Sequence, residues 1–132
     1  MRKVCEVYLE SCNALEEERY AYLLMPASQY EMMDAFEQIR GTPPGDVYWQ
    51  VEEFYCFNYL APHLDESMSI FEFNSLTEQL SKLDARQEIA MEGLLNMTVQ
   101  KHMQEHSGPI TVQELMMLAS NVDRCQVLAD VH

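Results

Sequence analysis

Apolar residues alternate with polar ones at both ends of the first quarter of the chain. Val4 to Leu9 and Tyr20 to Met25 are short runs of β-branched and aromatic residues, separated by the acidic stretch Leu15-Glu16-Glu17-Glu18-Arg19. The pattern predicts two strands joined by a charged loop. Pro26 closes the second, and Ser28 followed three residues later by Glu31 predicts a capping box, in which each side chain satisfies an orphan backbone N–H at a helix start. Met32, Met33, Phe36 and Ile39 then recur at helical spacing, with Glu31, Asp34 and Glu37 off that face, and Gly41, Pro43 and Pro44 end the helix.

Past the Pro-Pro-Gly turn, Val47, Trp49 and Val51 alternate with Tyr48, Gln50 and Glu52, and Phe54 to Tyr59 continues in aromatic residues. A long strand or a hairpin is expected, broken at Pro62, with Ser69 to Phe73 as a short extended return. From there the periodicity is helical. Ser75 with Glu78 reads as a second capping box, with Leu76, Leu80 and Leu83 inward. Asp84 with Gln87 starts a longer helix that runs to about His106, with Ile89, Ala90, Leu94, Leu95, Met97 and Val99 as its apolar positions, and Gly108-Pro109 stops it. Thr111 with Glu114 opens a helix burying Leu115, Leu118 and Val122, and a last short helix is expected from about Asp123.

Strands with one helix, followed by helices alone, imply an α+β fold. The expectation is an antiparallel sheet of three to four strands with one packed helix, followed by a C-terminal helical bundle. At 132 residues a single domain, 1–132, is expected, with a strand-rich acidic part over 1–73 and a helical part over 74–132.

Charge changes the functional picture more than the fold. The chain has 22 Asp and Glu against 8 Lys and Arg, a net of -14. Residues 1–80 hold fifteen of the acids and four of the bases. A disordered acidic tail would be poor in aromatics, whereas this chain has seven Tyr, five Phe and one Trp among 48% apolar residues, so the charge belongs to a folded scaffold. Direct nucleic-acid binding needs a positive footprint that is missing, and anionic membrane surfaces would repel such a protein. No apolar run approaches the ~20 residues that span a bilayer. Cys5, Cys12, Cys56 and Cys125 show no metal-binding spacing, and no signal peptide is evident, so a cytoplasmic location is expected.

Catalytic patterns are weak. His102 and His106 lie four residues apart but lack the H-E-x-x-H glutamate and read as a solvated pair. The cysteines have no neighbour that would activate a thiol and read as buried apolar residues. The four glycines form no phosphate-binding loop, and most of the ten methionines fall on predicted core faces. No enzyme activity, cofactor or metal is expected. Asp84, Glu88 and Glu92, at i, i+4 and i+8, form a stripe with ~6 Å axial spacing, the scale of phosphate spacing along DNA.

The segment Phe71-Glu72-Phe73-Asn74-Ser75-Leu76-Thr77-Glu78-Gln79-Leu80-Ser81-Lys82-Leu83-Asp84 resembles the acidic leucine-rich segment of antirestriction proteins of the ArdA type. Glu52 to Tyr59 and Ala85 to Met97 look like the same family's acidic strand and following helix, and the similarity covers residues 20 to 100. ArdA-type proteins are carried on conjugative plasmids and transposons. They are elongated, dimeric DNA mimics that occupy the DNA-binding cleft of type I restriction-modification enzymes without catalysis or cofactor. The resemblance implies that Glu16, Glu17, Glu18, Glu31, Asp34, Glu37, Glu52, Glu53, Asp84, Glu88 and Glu92 stand in for phosphates, with a type I enzyme or similar DNA-binding protein as partner. The alternative from the residues alone is an acidic interaction or regulatory adaptor of a mobile element, docking through an apolar patch.

Overall fold

The computed structural model describes residues 2–12, 19–41, 45–64 and 68–130, with side chains described through Val122. The fold is α+β. Its elements are β1 (Cys5–Ser11), β2 (Tyr20–Met25), α1 (Gln29–Ile39), β3 (Val47–Phe54), a 3-10 turn over Asn58–His63, α2 (Ile70–Leu80), α3 (Ala85–Glu105) and α4 (Val112–Asp130). The sheet has three strands in the order β2-β1-β3, antiparallel throughout, so β1 is central.

Strand alternation sends Cys5, Val7 and Leu9 of β1 and Ala21, Leu23 and Met25 of β2 into one buried cluster with Met32, Ala35 and Ile39 of α1. The alternate residues, Glu6, Tyr8 and Glu10 on β1 with Tyr20, Tyr22 and Leu24 on β2, form the opposite face. On β3 the register steps from Val7↔Val51 to Glu6↔Glu53, which leaves Glu52 as an extra residue in a β-bulge. The bulge keeps Tyr48, Gln50 and Glu53 opposite Glu10, Tyr8 and Glu6, on that same outer face.

Helix starts follow local side-chain chemistry. Both arms of the Ser28–Glu31 box are present at α1, both arms of the Asp84–Gln87 box at α3, and Thr111 and Glu114 exchange the same pair of bonds at α4. The end of α1 differs in detail from expectation: Arg40, not Gly41, takes the left-handed conformation (φ 54°). Gly41 is needed for close approach instead, because a Cβ there would lie 3.2 Å from the Asp46 carbonyl oxygen and from the Val47 side chain. His106, also left-handed, ends α3.

Several expectations are corrected. The aromatic run after Phe54 leaves the sheet and forms the 3-10 turn, with Pro62 inside it. Ser69 to Phe73 is the cap and first turn of α2, with the Phe71 N–H donating to Ser69 Oγ at 3.1 Å. The expected division at 73/74 therefore falls inside a helix, and Ser75 lies within α2, donating to the Phe71 carbonyl instead of capping. Tertiary contacts decide this start: Phe73 stacks on Trp49 with ring centroids 5.0 Å apart, and the Asn74 amide makes two bonds to the backbone of Ala27, at 2.8 and 3.0 Å.

Met33 is exposed, the inward positions of α1 being Met32, Ala35 and Ile39. On α3 the buried residues are Gln87, Met91 and Leu95, whereas Ile89 and Met97 are 72% and 68% exposed. Apolar residues occur all round that helix, so spacing alone did not select the face that meets α4. Finally, α4 continues unbroken through Asp123. No helix among the described residues is long and apolar enough to cross a membrane.

Candidate binding surface

Glu16, Glu17 and Glu18 lie outside the described residues. The other eight candidate carboxylates fall in three places. Glu31, Asp34 and Glu37 are on the exposed side of α1, the helix that covers the buried face of the sheet. Glu31 is partly committed there: its bonds with Ser28, and then Lys3 3.9 Å away, hold its carboxyl below the usual range. Glu52 and Glu53 are exposed on β3, with Glu53 on the open face of the sheet. The sheet therefore stands between these two groups.

The third group is the start of α3. Asp84 is its cap, with Oδ1 accepting from the Gln87 N–H at 2.8 Å. Glu88 is half-buried and turned inward, where Oε2 accepts from the Phe57 N–H at 3.2 Å, and the Tyr59 hydroxyl donates to the Glu88 carbonyl at 2.7 Å. Burial, then the charges of Glu88 and Glu92, raise the Tyr59 hydroxyl well above the ordinary phenol range. Only Glu92 of the stripe is exposed without such a structural bond.

The more concentrated surface is the outer face of the sheet. Tyr8 stacks on Tyr20 with centroids 6.1 Å apart and meets Tyr22 edge-on at 5.7 Å; Tyr20 and Tyr22 contact each other at 6.0 Å. Tyr20 and Tyr22 remain 48% and 52% exposed, so their rings are reachable from solvent. Across β1, the Tyr48 hydroxyl donates to Gln50 Oε1 at 3.1 Å. The three strands contain four Glu (Glu6, Glu10, Glu52 and Glu53) and neither Lys nor Arg. At one end of the face the Tyr55 hydroxyl is raised by partial burial and then by the charges of Glu6 and Glu53. Along β3 lies a groove of about 370 Å³, lined by residues of both faces of that strand, among them Tyr48, Trp49, Val51 and Glu53, and by Ala61 and Leu64. The carboxylates singled out from the sequence lie in the Glu16–Glu18 stretch, on α1, on β3 and at the start of α3, and include neither Glu6 nor Glu10 nor any tyrosine. The signal was the outward half of the alternation that predicted the strands.

The chemistry elsewhere is structural. His102 is not a solvated histidine: Nε2 lies 2.6 Å from Glu114 Oε2, and Nδ1 lies 3.0 Å from the Gly108 carbonyl. The Gly108 carbonyl first, then the bond to Glu114, raise its pKa above the ordinary imidazole value. His63, His102 and His106 border a hollow of about 540 Å³, but among the described residues no three His, Cys, Asp or Glu side chains are grouped to hold a metal ion. Burial, reinforced by Cys56, pushes the Cys5 thiol up to about 12, and burial raises Cys56 as well, so neither is a thiolate nucleophile at neutral pH.

No protein-family model, curated protein or solved structure matches this chain.

Proposed function

We propose that this chain is a non-catalytic binding protein whose partner is a protein with a positively charged surface. The observation that carries the reading is uncompensated charge on a folded scaffold. Among the described residues the ion pairs are Lys3–Glu31 and His102–Glu114, against a net charge of -14. Such self-repulsion costs stability, and a basic partner relieves it on binding.

The form we favour is an acidic interaction or regulatory adaptor, with a mobile element as its proposed source. Dispersal of the eight described candidates over α1, β3 and the start of α3, with the sheet between the first two groups, favours it, because a phosphate-like row needs its charges on one surface. The tyrosine-lined face favours it too, as exposed aromatic patches rimmed by polar groups mark protein contacts. The narrower form is a DNA mimic of the ArdA type. Its support is the amount of charge: at one charge per ~1.7 Å of duplex, this net charge equals that of about seven base pairs. In that form the partner is a type I restriction-modification enzyme or a similar DNA-binding protein, and a homodimer doubles the length mimicked.

A displacement titration separates the two. Labelled duplex DNA is bound to a type I restriction-modification complex, and the full chain is added at low and then rising salt. Displacement at low salt that fades as salt rises supports mimicry; undisturbed DNA rejects that target and leaves the adaptor form. Failure of the chain to bind any basic protein at low salt rejects both.

A further inference from the structure

We infer that the outer face of the sheet is a docking surface for an arginine-bearing segment of a protein partner. The inference deepens the reading above and rests on it, by naming the surface and the side chain it recognises.

An antiparallel sheet covered on one face by helices ordinarily presents polar side chains on the other. Here the open face presents tyrosines on all three strands, and the carboxylates of Glu6 and Glu10 alternate with Tyr8 along the central strand. Same-side neighbours along a strand are ~7 Å apart and directly opposed residues ~5 Å apart. A guanidinium placed over one of these rings is therefore within reach of a carboxylate on its own or a neighbouring strand. Arginine fits both: its planar cation stacks on the negative face of an aromatic ring, and its fork of N–H groups matches a carboxylate. Glu6, Glu10 and Glu53 make no ion pair among the described residues, so their charge is free for an incoming cation.

Charge also decides against the other occupants. Nucleic-acid bases stack on exposed aromatic sheet faces, but their phosphates would meet a face carrying Glu6, Glu10 and Glu53 on strands without Lys or Arg. A second copy of the chain, docking face to face, would oppose carboxylate to carboxylate. A basic protein segment removes the like-charge repulsion instead.

The test uses the full chain and two fluorescent end-capped peptides of equal length and charge, one alternating arginine with serine and the other lysine with serine. Anisotropy at low salt is expected to show tighter binding of the arginine peptide. Tyr20→Thr with Tyr22→Thr, which removes two rings but keeps β-branched residues on the strand, is expected to weaken arginine binding at least about fivefold. Glu6→Gln with Glu10→Gln is expected to do the same. The charge-matched control, Glu78→Gln with Glu105→Gln on α2 and α3, is expected to change it less than about twofold. Far-UV circular dichroism and the thermal midpoint confirm that each variant is folded. Should a sheet variant unfold, the arginine-to-lysine ratio on the unaltered chain decides. Equal affinity for both peptides, or equal losses from the sheet and control pairs, overturns the inference and leaves a diffuse basic-partner reading intact. Absence of binding to either peptide while a basic protein still binds also overturns it. No binding to any cation-bearing probe defeats the underlying reading as well.

Discussion

At the scale of single residues, two polar contacts carry consequences that their neighbours in the chain do not share. The His102–Glu114 pair ties the end of α3 to the start of α4. Because His102 is raised in the folded protein, its contribution is full below the ordinary imidazole value of 6.5 and is lost as pH rises through the folded value. Glu114 behaves oppositely. Partial burial raises it, but the bonds from Thr111 and His102 outweigh that and leave it lowered, so its contribution is present above 4.5 and lost as pH falls through the folded value. The pair is worth most between those two limits. The thermal midpoint of the wild type minus that of His102→Gln is expected to peak there and to shrink on the alkaline side; a difference that grows with pH would contradict the assignment. Glu88 gives the second prediction. Glu88→Ala strips the buried Phe57 N–H of its acceptor and is expected to cost about 1–3 kcal/mol in denaturant unfolding, while Glu88→Gln keeps an acceptor and costs less. The same truncation at exposed Glu92 is expected to stay within about 0.5 kcal/mol.

At the scale of elements, α3 offers the sharpest contrast between spacing and burial. Met91→Ala removes a fully buried side chain and is expected to lower stability by about 2–5 kcal/mol, whereas Met97→Ala, on the exposed side, is expected to cost less than about 0.5 kcal/mol. Similar losses at both positions would mean that another face of α3 is covered. What was legible in advance was local: Tyr20–Met25, the boxes at Ser28, Asp84 and Thr111, and the end of α3 near His106 are set by residues within a few positions of each other. What was not legible depends on distant partners. Ile70 to Phe73 has strand-forming residues, yet Trp49, more than twenty residues earlier, supplies the surface on which Phe73 stacks as part of a helix. That Glu88 turns inward from the α3 stripe was not legible for the same reason, because the Phe57 N–H whose bond it accepts lies 31 residues away.

At the scale of the whole molecule, the net charge is the dominant fact and the sheet is what gives it a direction. Screening should ease the self-repulsion, so moderate salt is expected to raise the thermal midpoint of the free chain and to weaken its binding to a basic partner. Composition made the charge legible, but not its location: the tyrosines and carboxylates of β1, β2 and β3 become one surface only when the register of two antiparallel pairings and a bulge at Glu52 are known. The decisive measurement is backbone amide NMR of the full chain, titrated with the arginine-serine peptide at low and high salt. Shifts are expected to concentrate at Glu6, Tyr8, Glu10, Tyr20, Tyr22 and Glu53 and to vanish at high salt. Shifts spread evenly over α1 and α3, or none at low salt, would contradict it.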